Sequence, residues 1–120
     1  MIGRLLAILF LSRDLAHRLH LSTDSLSKHV ALKEFYDEIV DYADSIAEMY
    51  QGRHDIIREI PLLEDESNSD DPQEVLSRHL EMLEKIRYSA VERSDTAIQN
   101  EIDGAVGLYL TTLYKLKRLK

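Results

Sequence analysis

Apolar residues recur every three or four positions over four stretches of this chain, the spacing that lines one face of an α-helix. The stretches run from about residue 2 to 21, 27 to 50, 72 to 91 and 96 to 119. Local signals mark some of the ends. Gly52 predicts a stop for the second helix. Asp71-Pro72-Gln73-Glu74 predicts the start of the third. Asp71 suits an N-cap, Pro72 suits the first turn, and Glu74 would complete a capping box.

Two links are short, Ser22 to Leu26 and Glu92 to Asp95, and short links make antiparallel neighbours. The connection over 52–71 is long and ends in the acidic, polar run Glu64 to Asp71. About 19 residues, at about 3.3 Å each, can span a bundle about 30 Å tall. Ile56, Ile57, Ile60, Leu62 and Leu63 need something to cover, which argues against a free linker. The expected fold is therefore all-α. It is one four-helix bundle over 1–120, two helical hairpins joined by a long crossover, which is the ferritin-like connection.

Placing residues about 100° apart locates the buried stripes. The first helix turns Leu5, Ile8, Leu9, Leu15, Ala16 and Leu19 inward, but Leu6 and Phe10 lie on its other side. A helix apolar all round is buried on more than one side, so a subunit interface is expected there. The second helix buries Leu32, Phe35, Tyr36, Ile39, Ala43, Ile46 and Tyr50. The third buries Val75, Leu76, Met82, Leu83, Ile86 and Ala90. The fourth buries Ile98, Ile102, Ala105, Tyr109, Leu113 and Leu116, with Asn100, Gly104, Gly107 and Thr111 along its back. Small residues in a row admit a second backbone, or are merely tolerated.

Composition agrees with helix: four glycines and two prolines, with 44% hydrophobic and 31% charged residues. Cysteine is absent, which removes disulfides, thiolate metal sites and cysteine nucleophiles, and fits a reducing compartment. A net charge of −7 does not suit general nucleic-acid binding. The one basic cluster, Lys115, Lys117, Arg118 and Lys120, complements the dipole at a helix C-terminus or touches DNA. Arg4 followed by the apolar run Leu5 to Leu11 has some look of a signal peptide. The run is short and lacks a small-residue cleavage site, so the start of a mature helix is expected, and no membrane span.

Five histidines offer chemistry: His17 and His20 near the end of the first helix, His29 near the start of the second, His54 in the crossover, and His79 in the third. His79 interrupts an apolar stripe, the usual place of a core histidine with one satisfied hydrogen bond and less often of a metal ligand. Asp37, Asp41, Asp44 and Glu48 are spaced by four, three and four along the second helix and form one acidic ridge. That ridge points away from its own helix's apolar stripe. It is either a solvated face or part of a site shared between two subunits. Carboxylate with imidazole suits iron, manganese or zinc.

Ala16-His17-Arg18-Leu19-His20-Leu21-Ser22, with Glu34-Phe35-Tyr36-Asp37 and Asp44-Ser45-Ile46-Ala47-Glu48, resembles the Dps branch of the ferritin-like superfamily over roughly residues 5 to 52. The resemblance implies an oligomer, often a hollow shell, that holds iron or a similar divalent metal between subunits, with ferroxidase-type activity. Carried over, it makes His20 the ligand of the first helix and Asp37, Asp44 and Glu48 the carboxylate ligands. Three positions depart from the family. Lys33 stands where its second-helix histidine aligns, with His29 one turn earlier as a substitute. Leu21 replaces a tryptophan, and the Asp37–Asp44 interval is one turn shorter. Small phage-encoded and bacterial ferritin-like proteins look similar, which implies the cytoplasm of a bacterial host or association with a virion. The Glu-x-x-His motif of di-iron proteins is absent from the second and fourth helices, and no phosphate loop, nucleophile elbow or zinc-protease pattern occurs. The rival expectation is a structural or interaction protein of the same fold without a metal.

Overall fold

A computed structural model describes all of residues 1–120. It contains four helices and no strands: α1 (Ile2–Ser22), α2 (Leu26–Arg53), α3 (Pro72–Ala90) and α4 (Thr96–Arg118). Each helix packs against two others. α1 touches α2 and α3, and α4 touches α2 and α3, so α1 lies diagonal to α4 and α2 to α3. Ion pairs fix the directions. Lys115 near the end of α4 reaches Glu34 near the start of α2 at 2.7 Å, and Arg53 ending α2 reaches Asp95 heading α4 at 2.8 Å. α2 and α4 are therefore antiparallel, while α2 and α3 end at the same end of the molecule. None of the helices is long and apolar enough to cross a membrane.

One core runs the length of the four helices. Leu5, Leu9, Leu32, Phe35, Ile39, Ile46, Leu76, Leu83, Ile102 and Tyr109 are fully buried. Burying a side chain of this size contributes about 1.5–3 kcal/mol. The Phe35 and Tyr109 rings meet edge to face at 5.0 Å, joining α2 to α4 at the centre.

The helix ends differ from the sequence reading in two places. α2 continues through Gly52 to Arg53 and is capped at His54, whose N–H bonds Tyr50 O. No glycine has positive φ, so Gly52 is not a left-handed cap. At α3, Asp71 Oδ1 accepts from Gln73 N–H at 3.2 Å, as an N-cap should. Glu74 does not complete the capping box. Ser69 Oγ accepts from Asp71 N–H and donates to Glu74, both at 3.2 Å, so the serine stands between the two.

The crossover runs along α1 and changes the reading of that helix. Its backbone lies on Gly3, where an added Cβ would overlap the Glu59 carbonyl oxygen. Further on, Ile60 to Leu63 share a groove with Ala7, Phe10 and Leu11. Much of the second apolar side of α1 is thus covered by the chain's own crossover. Leu5 through Leu9 are all buried in the single chain. Only Ile57 and Leu63 of the crossover pack against the core, while Leu62 is 101% exposed. On α4, Gly104 admits the Tyr42 ring of α2, and a Cβ added at Gly107 would meet nothing within 4 Å.

These two kinds of glycine predict opposite signs. Gly3→Ala should lower stability by about 1–3 kcal/mol, because the clash is with backbone. Gly107→Ala should raise it by about 0.5–1 kcal/mol, since a helical alanine there meets open space. Urea unfolding of both variants checks the pair, and a stable Gly3→Ala protein would mean that the crossover does not sit on α1.

Candidate functional site

The α1–α2 hairpin is closed by histidines. α2 begins at Ser25, whose hydroxyl accepts from Lys28 N–H at 3.3 Å. This turn sets His20, in the last turn of α1, against His29, in the first turn of α2. His20 Nδ1 donates to His29 O at 2.6 Å, and His29 Nδ1 donates to His20 O at 2.8 Å. Carbonyls only accept, so both rings carry a hydrogen at Nδ1, and each neutral ring keeps its lone pair at Nε2. His29 thereby satisfies a carbonyl that the end of α1 leaves open.

The two imidazoles stack at 3.6 Å with planes 18° apart. Lone pairs in nearly parallel planes do not converge, so in this arrangement at most one of these rings can serve a given ion. His20 is 6% exposed. His17 is exposed and stacks on Tyr36 at 4.2 Å, and Tyr36 meets the His20 ring edge-on at 5.3 Å.

The acidic ridge faces outward from α2, and Asp37, Asp41, Asp44 and Glu48 are all exposed. Asp37 is held by Lys33 Nζ at 2.7 Å. That hydrogen bond and the Asp37 charge raise the Lys33 pKa, so a cation occupies the position where the Dps pattern has a histidine. Such an exposed pair stabilises little. Asp44 and Glu48 make no ion pair, and their side chains take no hydrogen bond. Along a helix rising about 1.5 Å per residue, the fifteen positions from His29 to Asp44 span about 22 Å. His20, stacked on His29, is therefore far from Asp44 and Glu48 of its own chain. No three His, Asp or Glu side chains of one chain group as a metal site would.

A second polar group lies in the core. Tyr109 Oη donates to Ser12 Oγ at 2.6 Å, and Ser12 Oγ lies 2.8 Å from His79 Nδ1, which joins α4, α1 and α3. Burial pushes the Tyr109 phenol far above its ordinary pKa and keeps it a donor. Ser12 accepts from Tyr109 and can donate its own proton to His79 Nδ1, the arrangement that leaves no hydroxyl proton unpaired and puts the hydrogen of a neutral imidazole at Nε2. His79 is 0% exposed and Nε2 has no hydrogen-bond partner. Asp65 Oδ1 of the crossover is 3.6 Å away, beyond hydrogen-bond reach, and is ion-paired with Arg78. Burial acts to raise the Asp65 pKa, but the Arg78 hydrogen bond and charge outweigh it, and the net shift is downward. Burial also holds His79 below its ordinary value, against the pull of Asp65.

A serine, a histidine and an aspartate in a row suggest a hydrolytic triad. Ser12 is fully buried and held between Tyr109 and His79, so it has no access to a substrate. The row is structural, and His79 is the core histidine that its place in the stripe predicted. Sequence reading missed Ser12 as its partner.

It also missed Arg87. This buried residue donates to Gln99 Oε1 and Gln99 O at 2.9 Å each and to Asp103 at 2.7 Å, closing the α3–α4 hairpin. The signal was the spacing, because Arg87 continues the stripe Leu76, Leu80, Leu83. Asp95 caps α4 by accepting from Ile98 N–H.

Residues 20–116 match a family of unknown function (DUF5856), and the chain belongs to that family. The match begins in the last turn of α1 and takes in α2, the crossover and α3, ending within α4. No curated protein and no solved structure matches the chain.

The core histidine predicts a pH dependence. With the folded His79 pKa below the ordinary value of about 6.5, the unfolded chain protonates first. Its contribution to stability is complete above about pH 6.5 and is lost as pH falls below that. Asp65, shifted down, contributes above about pH 3.9 and loses its share only below it. Urea unfolding from pH 8 to pH 5 should show falling stability, and His79→Gln should flatten the slope. An unchanged slope in that variant would place the titrating group elsewhere.

Proposed function

We propose that the protein is a ferritin-like four-helix bundle of the Dps type that assembles into an oligomer and binds iron or a similar divalent cation between subunits. The helix directions support the fold. Two antiparallel hairpins with a crossover running the length of α1 give the up-down-down-up order of ferritin-like bundles. The observation that carries the metal reading is Asp44 and Glu48, carboxylates one turn apart on the outward face of α2 without a partner in their own chain. His20 of a second copy would complete the site through Nε2, its Nδ1–H being held by a carbonyl as in many metal-binding histidines. Asp37 would join after giving up Lys33. The ion, when bound, supplies the redox chemistry with an oxidant, and the protein supplies ligands and geometry.

A second reading is favoured by two observations: Lys33 sits on Asp37, and His20 is nearly buried. In it the bundle is a structural or interaction component, phage-associated in its setting, that keeps the fold without a metal.

The two readings part on one experiment. Ferrous iron is added under air to purified apo protein, with native mass and bound iron measured together. The metal reading predicts stoichiometric uptake in a defined oligomer, and Asp44→Ala with Glu48→Ala should abolish it while leaving helical content unchanged. A stable oligomer that takes up no iron, or a double variant that binds as well as the parent, would reject the metal site.

A further inference from the structure

The buried stripe of α4 has a counterpart on the opposite side of the helix. Asn100, Asp103, Gly107, Leu110, Tyr114 and Lys117 follow one another by three, four, three, four and three residues, the spacing of a coiled-coil seam. At about 100° per residue this seam points away from Ile102, Ala105 and Tyr109, which face the core. α2 and α3 flank α4 on its inner sides. Gly107 is partly exposed, and the other five positions are exposed. Leu110 and Tyr114 lie one turn apart at 54% and 57% exposure, which puts a leucine and a tyrosine side by side in water. A Cβ at Gly107 would meet nothing, whereas at Gly104, one turn earlier, the Tyr42 ring fills the space. Arg87 holds Oδ1 of Asp103, and the side chain stays 61% exposed. Lys117 makes no ion pair, and the side chains of Asn100 and Tyr114 take no hydrogen bond.

We propose that this seam is a two-fold interface, with α4 packed antiparallel on α4 of a second copy. Read backwards, the seam complements itself. About a point between Leu108 and Tyr109, Leu110 falls opposite Gly107 of the other copy, Tyr114 opposite Asp103, and Lys117 opposite Asn100. The leucine enters the space that the glycine leaves, as the Tyr42 ring does at Gly104 within the chain. The Tyr114 hydroxyl donates to Oδ2 of Asp103, and the Lys117 ammonium donates to the Asn100 carboxamide oxygen, one turn from the Asp103 charge. Symmetry makes each contact twice. Asp103 and Lys117 are fourteen residues apart, about 21 Å at about 1.5 Å per residue, so one chain cannot pair them. Antiparallel packing brings the acidic half of one copy to the basic end of the other. Parallel packing would set Asp103 on Asp103 and Lys117 on Lys117, and like charges in contact oppose association. The seam shares no residue with the α2 ridge, so the inference goes beyond the metal reading and does not rest on it.

The test is the native mass of the full chain, followed by sedimentation over a range of concentrations in metal-free buffer. The expected species is a dimer whose fraction rises with concentration. Gly107→Arg should weaken it at least about tenfold, the scale of a disrupted interface centre. Helical content should stay unchanged, because in the single chain that side chain enters open space. Asp44→Ala with Glu48→Ala should leave the dimer intact, so loss of the iron site and loss of this interface read out separately. The register has its own check, since the chain has no cysteine. A mixture of Gly107→Cys and Leu110→Cys chains should oxidise to a disulfide-linked mixed dimer. A mixture of Asn100→Cys and Leu110→Cys chains, two turns out of register, should not. A chain that stays monomeric at every concentration would overturn the proposal and leave the seam to a helix of another protein. A dimer unmoved by Gly107→Arg, or one that cross-links only in the second mixture, would overturn it as well.

Discussion

The hydrogen bonds from Tyr109 to Ser12 and on to His79 fix the middle of the molecule. They place three polar side chains deep in a core built mainly of leucine, isoleucine and alanine. Polar groups at such depth are costly without partners, and joining Ser12 to both Tyr109 and His79 requires the three helices to meet in one register. The same chain turns the last donor toward the crossover. There Asp65 and Arg78 hold the strap of residues that connects the two hairpins. A slip of α1 by one turn would strand Ser12, His79 and Tyr109 together and would also take Gly3 from beneath Glu59.

α2 serves two surfaces that have little to do with each other. Its first turn closes against α1 through the reciprocal His20 and His29 bonds, and its inner stripe fills the core. Its outer face carries the exposed carboxylates. Asp37 is taken up by Lys33, whereas Asp44 and Glu48 face solvent alone. The distance along the helix separates the imidazoles from that free pair, so any shared chemistry has to come from the meeting of two chains.

Much of this was legible in the sequence. The four helices follow from periodicity, because each buries one stripe and the 3.6-residue repeat is hard to hide. α4 shows it best: Ile98, Ile102, Ala105, Tyr109, Leu113 and Leu116 are all buried as spaced. The all-round apolar start of α1 was read correctly as doubly buried, and much of its cover is the crossover. Periodicity reports that a face is buried and not what buries it. Gly52 misled because a glycine in a helix and a glycine ending one look alike until φ is known. The ridge was visible as spacing, while the Lys33 bond to Asp37 depends on rotamers. The partners of His79 and Arg87 were out of reach, since Ser12 is 67 residues from His79 and only the packed helices bring them together.

The histidine pair that closes the first hairpin has a consequence in chain entropy. His20 and His29 are nine residues apart, whereas the Ser12 link to His79 closes a loop of 67 and its link to Tyr109 one of 97. With a logarithmic dependence on length, the 67-residue closure costs about 1.8 kcal/mol more than the nine-residue one. The α1–α2 hairpin is thus the inexpensive part of the structure to hold together, and the long-range core is the expensive part. Fluctuations that release the crossover and the second hairpin can leave the first hairpin clasped, so the molecule reopens from its far side rather than from the turn between α1 and α2.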